Sequence, residues 1–69
     1  MDRIPVSSSN ISSVGYDASA MTLEVEFSSG HIYQYFDVPE SVYQELSRAN
    51  SVGGYLAKNI KNVYRYTRT

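Results

Sequence analysis

The chain has 69 residues, no cysteine, a 42% apolar share and a formal net charge of −1. That length accommodates one domain, and the missing thiols exclude disulfides, a cysteine-based zinc site and thiol redox chemistry. No apolar run approaches the roughly 20 residues of a membrane-spanning helix. The start, Met1 to Pro5, lacks the apolar centre of a secretory signal. The expectation is a single cytoplasmic domain over residues 1–69 that makes no use of a membrane.

In chain order, residues 1–8 form a flexible arm or a first edge segment leading into the polar run Ser7 to Asn10. Ile11 to Asp17 suits a strand with Ser12, Val14 and Tyr16 on one face. Asp17-Ala18-Ser19 suits a turn, because aspartate bonds the backbone ahead of it. Leu23, Val25 and Phe27 then alternate with Thr22, Glu24, Glu26 and Ser28, the pattern of a strand with one buried and one wet face. His31 to Phe36 is a second aromatic-rich run beyond Gly30, so the two runs predict a hairpin. A two-residue loop would force positive φ on Ser29 as well as Gly30. A three-residue loop, Ser28-Ser29-Gly30, needs it only at Gly30. The longer loop pairs Val25 with Tyr33 and Leu23 with Tyr35, which places both tyrosines on the core face.

Val38-Pro39-Glu40 opens a helix, with Pro39 at its first position and Glu40 where the helix dipole favours an acid. Val42, Tyr43, Leu46 and Ala49 form its buried stripe, and Asn50 is placed to end it in a left-handed conformation. Ser51 is the candidate N-cap of a second helix running to about Asn59, with Tyr55, Leu56 and Ile60 as its apolar residues. Val63 to Thr67 alternates again as a last strand. The fold class is therefore α+β: an antiparallel three-stranded meander, two helices, and a short C-terminal strand or extended tail.

An ordered series runs through these elements: Ser9-Asn10-Ile11, Gly15-Tyr16-Asp17, Leu23-x-Val25-x-Phe27, Ser29-Gly30, Tyr33-Gln34-Tyr35, Val38-Pro39, Val42-Tyr43, Leu46, Ser51-x-Gly53-x-Tyr55 and Ile60. In order and spacing it resembles the KTSC domain, a module named for its position at the C-terminus of some lysyl-tRNA synthetases and also found as a small free-standing bacterial protein. The pair Tyr33 and Tyr35 carries the family's signature. The chain departs from the family pattern at Leu56-Ala57, where Phe-Asn is usual, and at Arg65, where proline is usual. What the resemblance implies for function is the family's usual conjecture, RNA binding.

Charge divides along the chain. Up to Glu45, seven acids face only Arg3, a balance of −6; from Leu46 onward five bases face no acid, a balance of +5. Aromatic and basic residues interleave at the C-terminal end, so Lys58, Lys61, Tyr64, Arg65, Tyr66 and Arg68 are the candidate nucleic-acid contacts: cations for phosphates, rings for bases. Ser51, Gly53 and Gly54 at a helix start are candidate anion-binding residues. The competing interpretation of the glycines is tight helix packing, and that of the tyrosines is core bulk with a wet hydroxyl.

No enzyme is expected. His31 is the sole histidine and lacks partners, Glu24 and Glu26 read as a solvated pair, and the eleven serines include no nucleophile pattern. No catalytic residue, metal ligand or cofactor is assigned. The leading function is a non-enzymatic binding module for nucleic acid, RNA in particular. The alternative is a protein-interaction module, a small adaptor or inhibitor of a larger machine, including one of phage origin.

Overall fold

The alternation at Leu23, Val25 and Phe27 builds the central strand of a sheet. The computed structural model describes residues 1–69. It contains strands β1 (Arg3–Pro5), β2 (Ile11–Asp17), β3 (Thr22–Phe27), β4 (Ile32–Tyr35) and β5 (Tyr66–Arg68), with helices α1 (Glu40–Arg48) and α2 (Val52–Asn59) between the last two strands. All neighbouring strands are antiparallel, in the order β1-β2-β3-β4-β5. The meander thus has four strands where three were expected, and β5 extends it to five. Arg3–Pro5 is paired with Ser13 to Gly15 and is not a free arm.

The β3–β4 turn is the expected three-residue loop. Phe27 N–H donates to His31 O at 2.9 Å, Val25 pairs with Tyr33, Leu23 pairs with Tyr35, and Gly30 has φ of +95°. The β2–β3 turn is held by Asp17, whose Oδ1 accepts from Ser19 N–H, Ser19 Oγ and Ala20 N–H at 3.1, 2.8 and 3.3 Å.

Register divides the sheet into two chemically distinct faces. Val14, Val25, Tyr33 and Arg68 lie in one cross-strand row and Tyr16, Leu23, Tyr35 and Tyr66 in the next. This face carries the helices. Its Val14, Leu23, Val25 and Tyr35 meet Val38, Leu46, Val52, Leu56 and Ile60 in the buried core. The opposite face carries Arg3, Glu24, Gln34 and Thr67 in a single row through Gly15. There the Arg3 guanidinium is paired with Glu24, Arg3 Nε donates to Ser13 Oγ at 3.0 Å, and Gln34 Nε2 donates to Glu24 Oε1 at 3.0 Å.

Strand β2 departs from simple alternation. Its pairing with β3 slips between Ile11 and Ser13, a bulge that leaves Ser12 as the extra residue. Ile11 and Val14 therefore both enter the core, while Ser12 is exposed and does not share the face of Val14 and Tyr16.

In α1, Pro39 is the N-cap and Glu40 the first helical residue, one position later than expected. Leu46 is its fully buried residue, and Val42 and Tyr43 are half-buried beside it. Tyr43 stacks on Tyr16 with ring centroids 5.1 Å apart, and Tyr16 Oη donates to Val38 O. The helix ends on an extended Ala49 and not on a left-handed Asn50. The extended cap carries the chain straight into Ser51, which caps α2 by accepting from Gly54 N–H at 3.1 Å.

Beyond α2, Ile60 and Lys61 N–H both donate to Leu56 O, and Asn62 takes a left-handed conformation with φ of +68°. Residues 61–64 therefore form a turn where a strand from Val63 was expected, and sheet pairing is confined to Tyr66–Arg68.

Two measurements test this arrangement. Leu46→Ala should destabilise the fold by about 2–5 kcal/mol in urea unfolding, since it empties a fully buried site. The Gln34 hydrogen bond and the Arg3 contacts hold the Glu24 carboxyl below its ordinary range, against the opposing effect of burial. The folded chain therefore binds fewer protons than the unfolded one through that range. Glu24's contribution is complete above the ordinary glutamate value and is lost as pH falls from there through the lowered value of the folded state. Glu24→Gln should flatten the acid limb of stability below about pH 5, where the unfolded-state carboxyl begins to take up its proton.

Candidate nucleic-acid interface

The three-residue loop brings Phe27, Tyr33 and Tyr35 to one face, and β5 adds Tyr66 beside them. Tyr33 and Tyr66 stack with centroids 5.4 Å apart and planes 24° apart. Tyr35 and Tyr66 lie 5.8 Å apart, and Phe27 meets Tyr33 edge-on at 5.3 Å. Exposure is graded across this cluster: Tyr35 is 2% exposed, Tyr33 half-buried and Tyr66 57% exposed. Burial, reinforced by the neighbouring Tyr33 and Tyr66 phenols, raises the Tyr35 pKa, so its hydroxyl stays a proton donor well beyond neutrality.

Between this cluster and α2 runs a groove of about 380 Å³. Phe27, Tyr33 and Tyr35 wall it on the sheet side, Leu56 and Ala57 on the helix side, with Lys61, His31 and Asn10 also on its surface.

The six candidate nucleic-acid residues separate in space. Arg68 lies opposite Tyr33 in the β4–β5 ladder, on the face of Tyr66, because residues two apart in a strand share a face. Lys61 joins the groove, and Lys58 is exposed in the last turn of α2. Arg65 does not join them: it pairs with Asp37 at 3.0 Å and lies over the Phe36 ring at 5.6 Å. Tyr64 is half-buried against the core. The aromatic-basic surface thus consists of Tyr66, Arg68 and Tyr33, with Lys61 in the adjoining groove.

At the start of α2, the Gly54 N–H that could meet an anion is already bonded to Ser51 Oγ. Gly53 is in close packing: a Cβ there would lie 2.6 Å from Asn10 Oδ1. Packing and capping thus account for both glycines. Glu24 and Glu26 are tied to Arg3 on the far face, Glu26 through a longer contact of 3.7 Å. No group of three or more His, Asp or Glu side chains is placed to hold a metal ion, and no helix is long and apolar enough to cross a membrane.

Phe27, His31, Asn10 and Ala57 were not singled out as site residues by the sequence. Only the hairpin register hinted at Phe27 and His31; Asn10 and Ala57 come to the groove from distant segments.

Fold and site define a small α+β domain with a tyrosine-walled groove between its hairpin and its second helix. The KTSC domain profile matches residues 7–64, and the chain belongs to the KTSC domain family. An uncharacterized protein of Stutzerimonas stutzeri is 45% identical over 69 residues, covering 99% of this chain and 97% of its own length. A lysine--tRNA ligase of Trichormus variabilis is 45% identical over 51 residues, and one of a Nostoc species is 47% identical over 51. In each case 74% of this chain is covered but only 9% of the ligase, so the chain corresponds to a small part of those enzymes. The crystal structure of a KTSC domain protein from Yersinia pestis superposes with a TM-score of 0.94 at 39% identity, covering 99% of this chain and 96% of that one.

The packing at Gly53 is testable. At an open helical site Gly→Ala stabilises by about 1 kcal/mol. Gly53→Ala should fail to give that gain here, and should recover it in an Asn10→Ala background, as read by thermal unfolding of the two single variants and the double.

Proposed function

We propose that this KTSC domain is a non-enzymatic binding module for single-stranded RNA, held across Tyr66 and Tyr33 with Arg68 and Lys61 contacting phosphates. The observation that carries it is the exposed Tyr66 ring, stacked on Tyr33 and in strand alternation with Arg68. An exposed ring backed by a second ring is a platform for a base, and a cation two residues along lies within reach of the adjoining phosphate. The acids of β3 support the same polarity: Glu24 and Glu26 point to the far face, where they are bound to Arg3, and away from Tyr33 and Tyr66. The similarity to part of several proteins named lysine--tRNA ligase fits an RNA partner.

Titration of a single-stranded RNA at two salt concentrations tests this. Removing one phosphate-binding cation should lower the slope of log affinity against log salt by about 0.7, so Lys61→Ala/Arg68→Ala should lower it by about 1.4. Tyr66→Ala should weaken binding by about 1–3 kcal/mol with little change in slope. Arg65→Ala, which removes a cation already paired with Asp37, should leave the slope near that of the unsubstituted chain. Absence of binding at low salt, or an unchanged slope in the double variant, refutes RNA binding here and favours a protein partner.

A further inference from the structure

The groove between the β3–β4 hairpin and α2 has a feature that the exposed platform does not explain. Tyr35 is 98% buried, since its exposure is 2%. Its side chain makes no hydrogen bond in the protein, yet no fully buried side-chain polar atom is left without a partner. The Tyr35 hydroxyl therefore keeps a small accessible area, and Tyr35 forms part of the groove wall. A buried ring that offers one unpartnered hydroxyl to a cavity supplies a fixed donor and acceptor for a ligand.

Three further properties restrict that ligand. Phe27 and Tyr33 stand nearly perpendicular, at 80°, so the wall has a ring face and a ring edge meeting at a corner. A flat heteroaromatic ring can stack on one and take the edge of the other. The charged side chain of the groove is Lys61, which forms no ion pair, and no Asp or Glu lines the space. The volume, about 380 Å³, lies at the small end of the range of ligand sites, about 300–1,000 Å³.

We propose that this groove is a nucleotide subsite. It takes one nucleobase against Phe27 and Tyr33, with the Tyr35 hydroxyl on the base edge and Lys61 on the phosphate. The choice of ligand class rests on the proposed RNA function. The nucleotide is either one unit turned out of a bound strand or a free 5′-mononucleotide, which share the same base and phosphate chemistry.

The test titrates the isotope-labelled chain by NMR with each of the four 5′-ribonucleotides and, separately, with a short single-stranded RNA. Two variants accompany it. Tyr35→Phe removes only the hydroxyl, and Ala57→Phe fills the groove from an exposed helix position. At least one mononucleotide should shift the amides of Phe27, Tyr33, Ala57 and Lys61. Tyr35→Phe should weaken that binding about three- to tenfold, and Ala57→Phe should abolish it. Mononucleotide shifts unaffected by both variants, or confined to Tyr66 and Arg68, overturn the subsite. RNA that binds normally to both variants but poorly to Tyr66→Ala, with no mononucleotide bound in the groove, also overturns it while leaving the platform intact. Mononucleotide binding in the groove without any RNA binding supports the subsite for the free nucleotide and refutes the platform. No binding of either ligand refutes both.

Discussion

The register of the β3–β4 hairpin is the constraint on which the rest of this protein depends. Gly30 occupies a backbone region that L-side chains rarely adopt, and this lets the loop close in three residues. A loop one residue shorter would turn Tyr33 and Tyr35 to the opposite face, because side-chain direction in a strand has a period of two. Tyr35 would then leave the core, Tyr33 would meet neither Phe27 nor Tyr66, and the groove would lose its sheet-side wall. A single positive φ thus fixes both the packing of the domain and the chemistry of its surface.

The two sheet faces divide the work between them. One is buried under the helices by apolar contact, grading at its β5 end into the tyrosine cluster. The other holds its edge strand by polar contacts: Arg3 in β1 reaches Ser13 in β2 and Glu24 in β3, and Gln34 in β4 completes the row. For a chain of 69 residues this is an economical division, since β1 contributes no fully buried residue of its own. Most of the negative charge up to Glu45 does not pair with the basic C-terminal end. Glu24 and Glu26 are taken up by Arg3, and the ion pair between the two parts of the chain is Asp37 with Arg65.

What the sequence made legible were features set by neighbours along the chain. The hairpin register followed from serine's aversion to positive φ, and the start of α2 from the capping hydroxyl of Ser51. The buried faces of β3 and of the helices followed from periodicity, although Phe27 and Val42 are only half-buried and Val52 joins the buried core at the first turn of α2. What was not legible depends on contacts between distant segments. The bulge at Ser12 lets Ile11 reach the core, a choice that period-two alternation cannot express. Strand β1 is too short to show a pattern, and its anchor, Arg3, finds its partners 21 and 23 residues away. Alternation overstates the length of the C-terminal strand because the left-handed turn at Asn62 falls next to the alternating run. The candidate site was half-visible for the same reason: its tyrosines and Lys61 stood out by type, whereas Asn10 and Ala57 enter the groove only through folding.

The topology of β5 has a kinetic consequence. Strands β1 to β4 are joined by short connections, so each pairing closes a small loop of chain. Strand β5 returns to β4 only after both helices, pairing Tyr33 with Arg68 across half the molecule's length, and it does so through three residues at the chain's end. Non-local pairing forms late and short terminal strands open readily, so β5, like the equally short β1, belongs to the low-stability end of this domain's local unfolding. When it peels away, Tyr66 leaves Tyr33, and the outer backbone of β4 is bared as an unpaired sheet edge. The amides of Phe36 and Thr69, which donate to carbonyls across that seam, would report each opening as solvent exchange faster than in the β2–β3 ladder.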